Sequence, residues 1–146
     1  MNIKEYLKQY ERAGNRVRRL EARYKELNEI AGCVRSPMDQ DGQPRARNIT
    51  KPTEEKAVKM ADVFREMEIA RAEALQLQVE IYTILVRVPD VYGDLLIERY
   101  IHCKSWEDVA DHIGYSLRWT YELHRRALEM LKKDPEVNNK ALQCSF

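Results

Sequence analysis

Six residues between 117 and 125 have side chains of the types that recognise base edges: Leu117, Arg118, Thr120, Tyr121, Glu122 and Arg125. A guanidinium can make two parallel hydrogen bonds to guanine, and a carboxylate can accept from the amine of cytosine. A small apolar group can pack on the thymine methyl. Arg118 suits the first role, Glu122 the second, and Leu117 or Thr120 the third. Around them stand Lys104, Ser116, Arg126, Lys132 and Lys133, types that hold phosphate oxygens and position a protein without reading sequence. Trp119 is expected to pack against neighbouring helices, with a wedge or backbone contact as the alternative.

These side chains need a helix to carry them and a second helix to hold that one in place. Ser105 with Asp108 three residues on is a weaker relative of the capping box. Val109, Ala110 and Ile113 then line the inner face of a short helix. Gly114 permits a left-handed C-cap and Ser116 caps the next helix, whose apolar face is Leu117, Leu123, Ala127, Leu128 and Leu131. Ala110 is small enough for a close crossing. Helix, three- to four-residue turn, helix is the grammar of a helix-turn-helix, in which the second helix enters the major groove.

Upstream the periodicity changes scale. A helix is expected over about residues 2–31, with Ile3, Leu7, Tyr10, Ala13, Val17, Leu20, Tyr24, Leu27 and Ala31 spaced by three or four, near the period of a coiled-coil seam. A second face runs Lys4, Lys8, Arg12, Arg16, Arg19 and Arg23, read either as a solvated face or as a phosphate-tracking surface. Residues 33–52 hold three prolines and a "DG" turn, which predicts a mobile loop, with Arg45 and Arg47 solvated. A second long helix is expected from Thr53, with its seam running from Ala57 to Val88, and Pro89 ends it. The fold class is therefore all-α. A long antiparallel helical hairpin spans 1–88, a helix-turn-helix unit spans 89–133, and a tail covers 134–146.

The composition agrees with this and excludes other classes. The chain has 146 residues, 34% of them charged, and a formal net charge of +1, so no global basicity advertises nucleic acid. The charge is local: residues 117–133 hold five basic side chains against Glu122 and Glu129. Cys33, Cys103 and Cys144 lie far apart, which favours a reducing compartment, and the adjacent His102 and Cys103 are read as structural rather than as a metal site. The charged start predicts no signal peptide, and no apolar run approaches the roughly 20 residues needed to cross a bilayer. A cytoplasmic protein is expected, with no membrane contact. No phosphate loop, nucleophile elbow or metal signature appears, and His102, His112 and His124 have no Ser or Cys partner implied by spacing, so no catalysis and no cofactor are expected.

The segment "SWEDVADHIGYSLRWTYELHRRALEMLKK" resembles region four of bacterial sigma factors, through Ser105, Glu107, Asp108, Val109, Ser116, Leu123, Ala127, Leu128 and Leu131. The chain up to about Lys133 is similar to small phage proteins of the RinA/ArpU type, on "KEYLKQYERAGNRVRRLEARYKEL" and "LLIERYIHCKSWEDVADHIGYSLRWTYELHRRALEML". That resemblance implies a late-gene transcriptional activator with a coiled-coil N-terminal region, bound to double-stranded DNA and contacting RNA polymerase. Leu117, Arg118, Thr120, Tyr121 and Glu122 depart from the sigma pattern at the start of the recognition helix, so a consensus −35 sequence is not implied. A homodimer through the hairpin would add a second half-site. The rivals are a small-terminase-like protein that recognises DNA for packaging, and a polymerase-binding adaptor without DNA contact.

Overall fold

The structure, a computed structural model, describes residues 2–32 and 50–143. The expected loop lies almost wholly outside the described residues, and Arg45 and Arg47 with it. The described residues form α1 (Ile3–Gly32), α2 (Thr50–Leu85), α3 (Asp90–Tyr100), α4 (Trp106–Ile113), α5 (Leu117–Lys132) and α6 (Pro135–Gln143), with no strand among them. The all-α class follows from the sequence periodicity. Three boundaries differ from the sequence reading, the first being that α2 ends at Leu85, short of the expected seam position Val88. α2 begins at Thr50, with Pro52 in its first turn, a place that tolerates a missing N–H. The expected tail contains α6, because Val137 and Ala141, four residues apart, are both buried.

The chain divides into two compact units, residues 1–14 with 73–146, and residues 15–72. The division does not fall at residue 88. In the unit 15–72, Val17, Leu20, Tyr24 and Leu27 of α1 are half-buried at the expected seam positions, and Met67 and Ala70 of α2 are buried. The Tyr24 and Phe64 rings lie 5.9 Å apart, and Arg71 donates to Glu21 at 2.7 Å and to Glu68 at 2.9 Å. Across these contacts the numbering of the two helices runs in opposite order. Ala57 and Phe64, expected in the seam, are exposed.

The other unit holds the main core. Ile3, Tyr6 and Leu7 of α1 and Ile81, Ile84 and Leu85 of α2 join Leu95, Leu96 and Tyr100 of α3, Val109 of α4, Leu123, Ala127 and Leu131 of α5, and Val137 of α6. The ends of the two long helices thus belong to the body that carries the helix-turn-helix. At about 25 cal/mol per Å² of apolar surface, burial of this cluster is the main force holding α4 and α5 in register. Between α2 and α3 the chain passes so closely that a Cβ on Gly93 would stand 2.3 Å from the Val88 carbonyl oxygen. Glycine is what lets the α3 backbone approach there.

Candidate nucleic-acid interface

Local hydrogen bonds build the helix pair where the sequence placed it. The Ser105 hydroxyl accepts from the Asp108 N–H at 3.2 Å and donates to its carboxylate at 2.8 Å. Val109 and Ala110 are buried. Gly114 closes α4 at φ 75° and ψ 29°, the left-handed region open to glycine, and its N–H donates to the Ala110 carbonyl. After Tyr115, the Ser116 hydroxyl accepts from the Trp119 N–H at 3.3 Å and starts α5. Three residues, Gly114 to Ser116, turn one helix into the next.

The phase of α5 differs from the sequence reading. Thr120, Leu123, His124, Ala127 and Leu131 form the buried face, at helical spacing. Thr120 has no exposed surface, and its hydroxyl donates to the Ser116 carbonyl at 2.9 Å, so it is removed from the base-reading set. Its methyl fills the core while its only polar group is satisfied locally. Leu117, expected to contribute to the apolar face, is instead 37% exposed. Trp119, expected to pack, is 43% exposed, and the Arg126 guanidinium lies 5.4 Å from its ring centroid.

Four residues spaced four, three and four apart, Arg118, Glu122, Arg125 and Glu129, lie on the outward side of α5. Three of them are engaged with one another. Glu122 accepts from Arg125 at 2.7 Å and from Arg126 at 3.1 Å, and Arg125 also donates to Glu129 at 2.6 Å. Those hydrogen bonds hold the Glu122 carboxyl down at about 2. Arg118 makes no ion pair among the described residues. Lys132 and Lys133 are exposed at the end of the helix. Ser116, Arg118, Trp119, Tyr121, Glu122 and Arg125 line a shallow hollow on this face.

Lys104 is engaged with α3. Its ammonium pairs with the buried Glu98 carboxylate, which also meets His102 Nδ1 at 2.8 Å and His112 Nε2 at 3.8 Å. Burial works to raise the Glu98 carboxyl, but hydrogen bonds from Lys104 and His102 outweigh it and hold it below the usual carboxylate range. Lys104 and His102 therefore close the α3–α4 turn, and the phosphate role expected for Lys104 is set aside. The Arg99 side chain fastens the same turn by donating to the Lys104 carbonyl at 2.5 Å.

Behind α5 lies a group of rings that sequence reasoning missed. Trp106 stands 5.1 Å from Tyr121 and 4.7 Å from His124, with the Arg99 guanidinium 4.7 Å from its own ring centroid. The spacing from Trp106 to Tyr121 crosses two helices, so no local pattern announces it.

No family model, curated protein or solved structure matches the chain. Among the described residues no helix is long and apolar enough to cross a membrane.

Proposed function

We propose that this chain is a sequence-specific DNA-binding protein that activates transcription, of phage or prophage genes, and reads the major groove with α5. The observation that carries the reading is the Gly114–Ser116 turn, which holds α5 against α4 with Arg118 exposed in the helix's first turn and without an ion pair among the described residues. Arg118 is the base-reading residue, Leu117, Tyr121, Glu122 and Arg125 flank it, and Lys132 and Lys133 supply phosphate contacts, while Glu122 holds Arg126, expected in that role, back from the phosphates. The similarity of the C-terminal segment to sigma region four, and of the chain to RinA/ArpU activators, supports the transcriptional role and a cytoplasmic setting. The test is retention of promoter-containing DNA across a salt series. A steep salt slope, with loss of sequence preference in Arg118→Ala, supports the reading, and absence of binding at low salt overturns it.

One helix reads few base pairs, so two copies acting together fit this function better than one. On α2, Leu75, Val79, Tyr82 and Val86 form an exposed apolar stripe with spacings of four, three and four, the pattern of a coiled-coil seam. Uncharged Gln76, Gln78 and Thr83 border it, so two such stripes can face each other without opposed like charges. We assign this stripe to a homodimer.

A second reading draws on the ion pairs of α5. They neutralise much of its outward charge, and α4 exposes Glu107 and Asp111. An adaptor that contacts only polymerase subunits would co-purify with polymerase while failing to retain DNA.

A further inference from the structure

Tyr121 and Leu117, four residues apart on α5, form one continuous flank beside Arg118, 46% and 37% exposed respectively. Its Tyr121 end is braced, because Trp106 of α4 stands 5.1 Å from the Tyr121 ring and the Arg99 guanidinium lies 4.7 Å from the Trp106 centroid in turn. Large apolar side chains held rigid at a surface are primed for contact, since little side-chain freedom is left to lose on binding. The polar groups on the outward line are differently placed. Arg125, Arg126 and Glu122 are hydrogen-bonded to one another and must exchange those partners before they meet a base. Thr120, the other residue of a type that packs on a methyl group, is buried.

The major groove offers one apolar feature, the 5-methyl group of thymine. We propose that the Leu117–Tyr121 flank reads thymine by that methyl group, with Arg118 fixing the adjoining base. This rests on the DNA-binding reading and adds to it what is read and by which side chains. Discrimination then comes chiefly from apolar contact rather than from the Glu122–Arg125 pair, and the preferred site contains thymine at one or two fixed positions.

The test begins by selecting bound sequences from a pool of random 20-base-pair duplexes with the full chain. Thymines in the selected duplex are then replaced one at a time by uracil, which removes only the methyl group. At one or two positions the substitution is expected to weaken binding about fourfold, the ratio set by burying one methyl. Leu117→Ala or Tyr121→Ala should weaken binding of the thymine duplex and bring the thymine-to-uracil ratio at that position close to one. Both residues are exposed, and circular dichroism confirms that each variant is folded. Equal binding of thymine and uracil duplexes by the parent chain overturns the inference but leaves DNA binding standing. An unchanged ratio in both variants overturns it as well. Failure to enrich any sequence overturns both readings.

Discussion

The Tyr100 hydroxyl and His124 Nε2 lie 2.9 Å apart inside the unit that carries α4 and α5. Burial pushes the His124 ring down to about 4, helped by the positive charges of Lys4 and Arg99, and burial pushes the Tyr100 hydroxyl up to about 12. Both groups are therefore neutral near pH 7 and share their hydrogen bond. The unfolded chain takes up a proton on His124 near its ordinary value of about 6.5, whereas the folded chain resists until about 4. Stability should rise with pH across that window and level off above it. Urea melts of the parent and of His124→Phe at pH 7.5 and pH 5.0 measure the effect. The parent should lose more stability on acidification than the variant, and equal losses would contradict the assignment. At pH 7.5 the variant should itself be weaker by about 1–3 kcal/mol, since the Tyr100 hydroxyl is left buried without its partner.

Gly93 and Gly14 both lie in helices but face different surroundings. A Cβ at Gly93 would meet backbone at 2.3 Å, whereas a Cβ at Gly14 has nothing within 4 Å. Gly93→Ala should therefore destabilise by more than about 2 kcal/mol, because the α2–α3 connection must move. Gly14→Ala should stabilise by about 0.5–1 kcal/mol through helix propensity alone. Thermal melts of the two variants should move in opposite directions.

At Gly114 the surroundings are open and the backbone sets the cost, since φ is 75° and no atom crowds a Cβ. Gly114→Ala should cost about 1–2 kcal/mol, and Gly114→Asn less, because asparagine tolerates the left-handed region. If the two substitutions cost the same, crowding rather than conformation decides the position.

What the sequence disclosed about this site is what short-range chemistry controls. Ser105, Gly114 and Ser116 act on backbone groups within four residues, so their order alone gives the turn. The phase of α5 was less legible. Leu117 outranks Thr120 on any hydropathy scale, yet the spacing 120, 123, 124, 127, 131 is the regular one, and a threonine whose hydroxyl bonds back to Ser116 serves as an apolar residue. The brace of Trp106 on Tyr121 and the closure of Lys104 on Glu98 depend on how α3, α4 and α5 cross, which no periodicity contains. Likewise the seam positions Ile3, Leu7, Ile81 and Ile84 were visible as apolar, but their partners on α3 were not.

If the α2 stripe joins two copies, Val79→Lys should convert a dimer into a monomer with little change in helix content, because Val79 is 57% exposed. Sedimentation equilibrium at micromolar concentration reads the mass directly. A monomeric parent chain would remove the dimer. A variant that stays dimeric would move the interface to another surface.

Glu122 should act as a restraint on non-specific binding. Its carboxylate engages Arg125 and Arg126 together, and hydrogen bonds from both hold it at about 2, so it stays ionised at any pH where the protein would be assayed. Both guanidiniums are thereby kept from phosphate oxygens, while Arg118 one turn earlier stands clear. Glu122→Gln removes the charge but keeps the size and a hydrogen-bonding amide. Arg125 keeps Glu129, whereas Arg126, released from Glu122, can displace a counterion from the duplex. Each further phosphate neutralised steepens the plot of log binding constant against log salt by about 0.9. The variant should bind unrelated duplexes more tightly at low salt, with a slope steeper by about one and a smaller ratio of specific to non-specific affinity. Fluorescence anisotropy over a salt series with a selected and a scrambled duplex measures all three. An unchanged slope would mean that Arg126 already reaches the phosphates in the parent chain, and that its pairing with Glu122 gives way whenever DNA is bound.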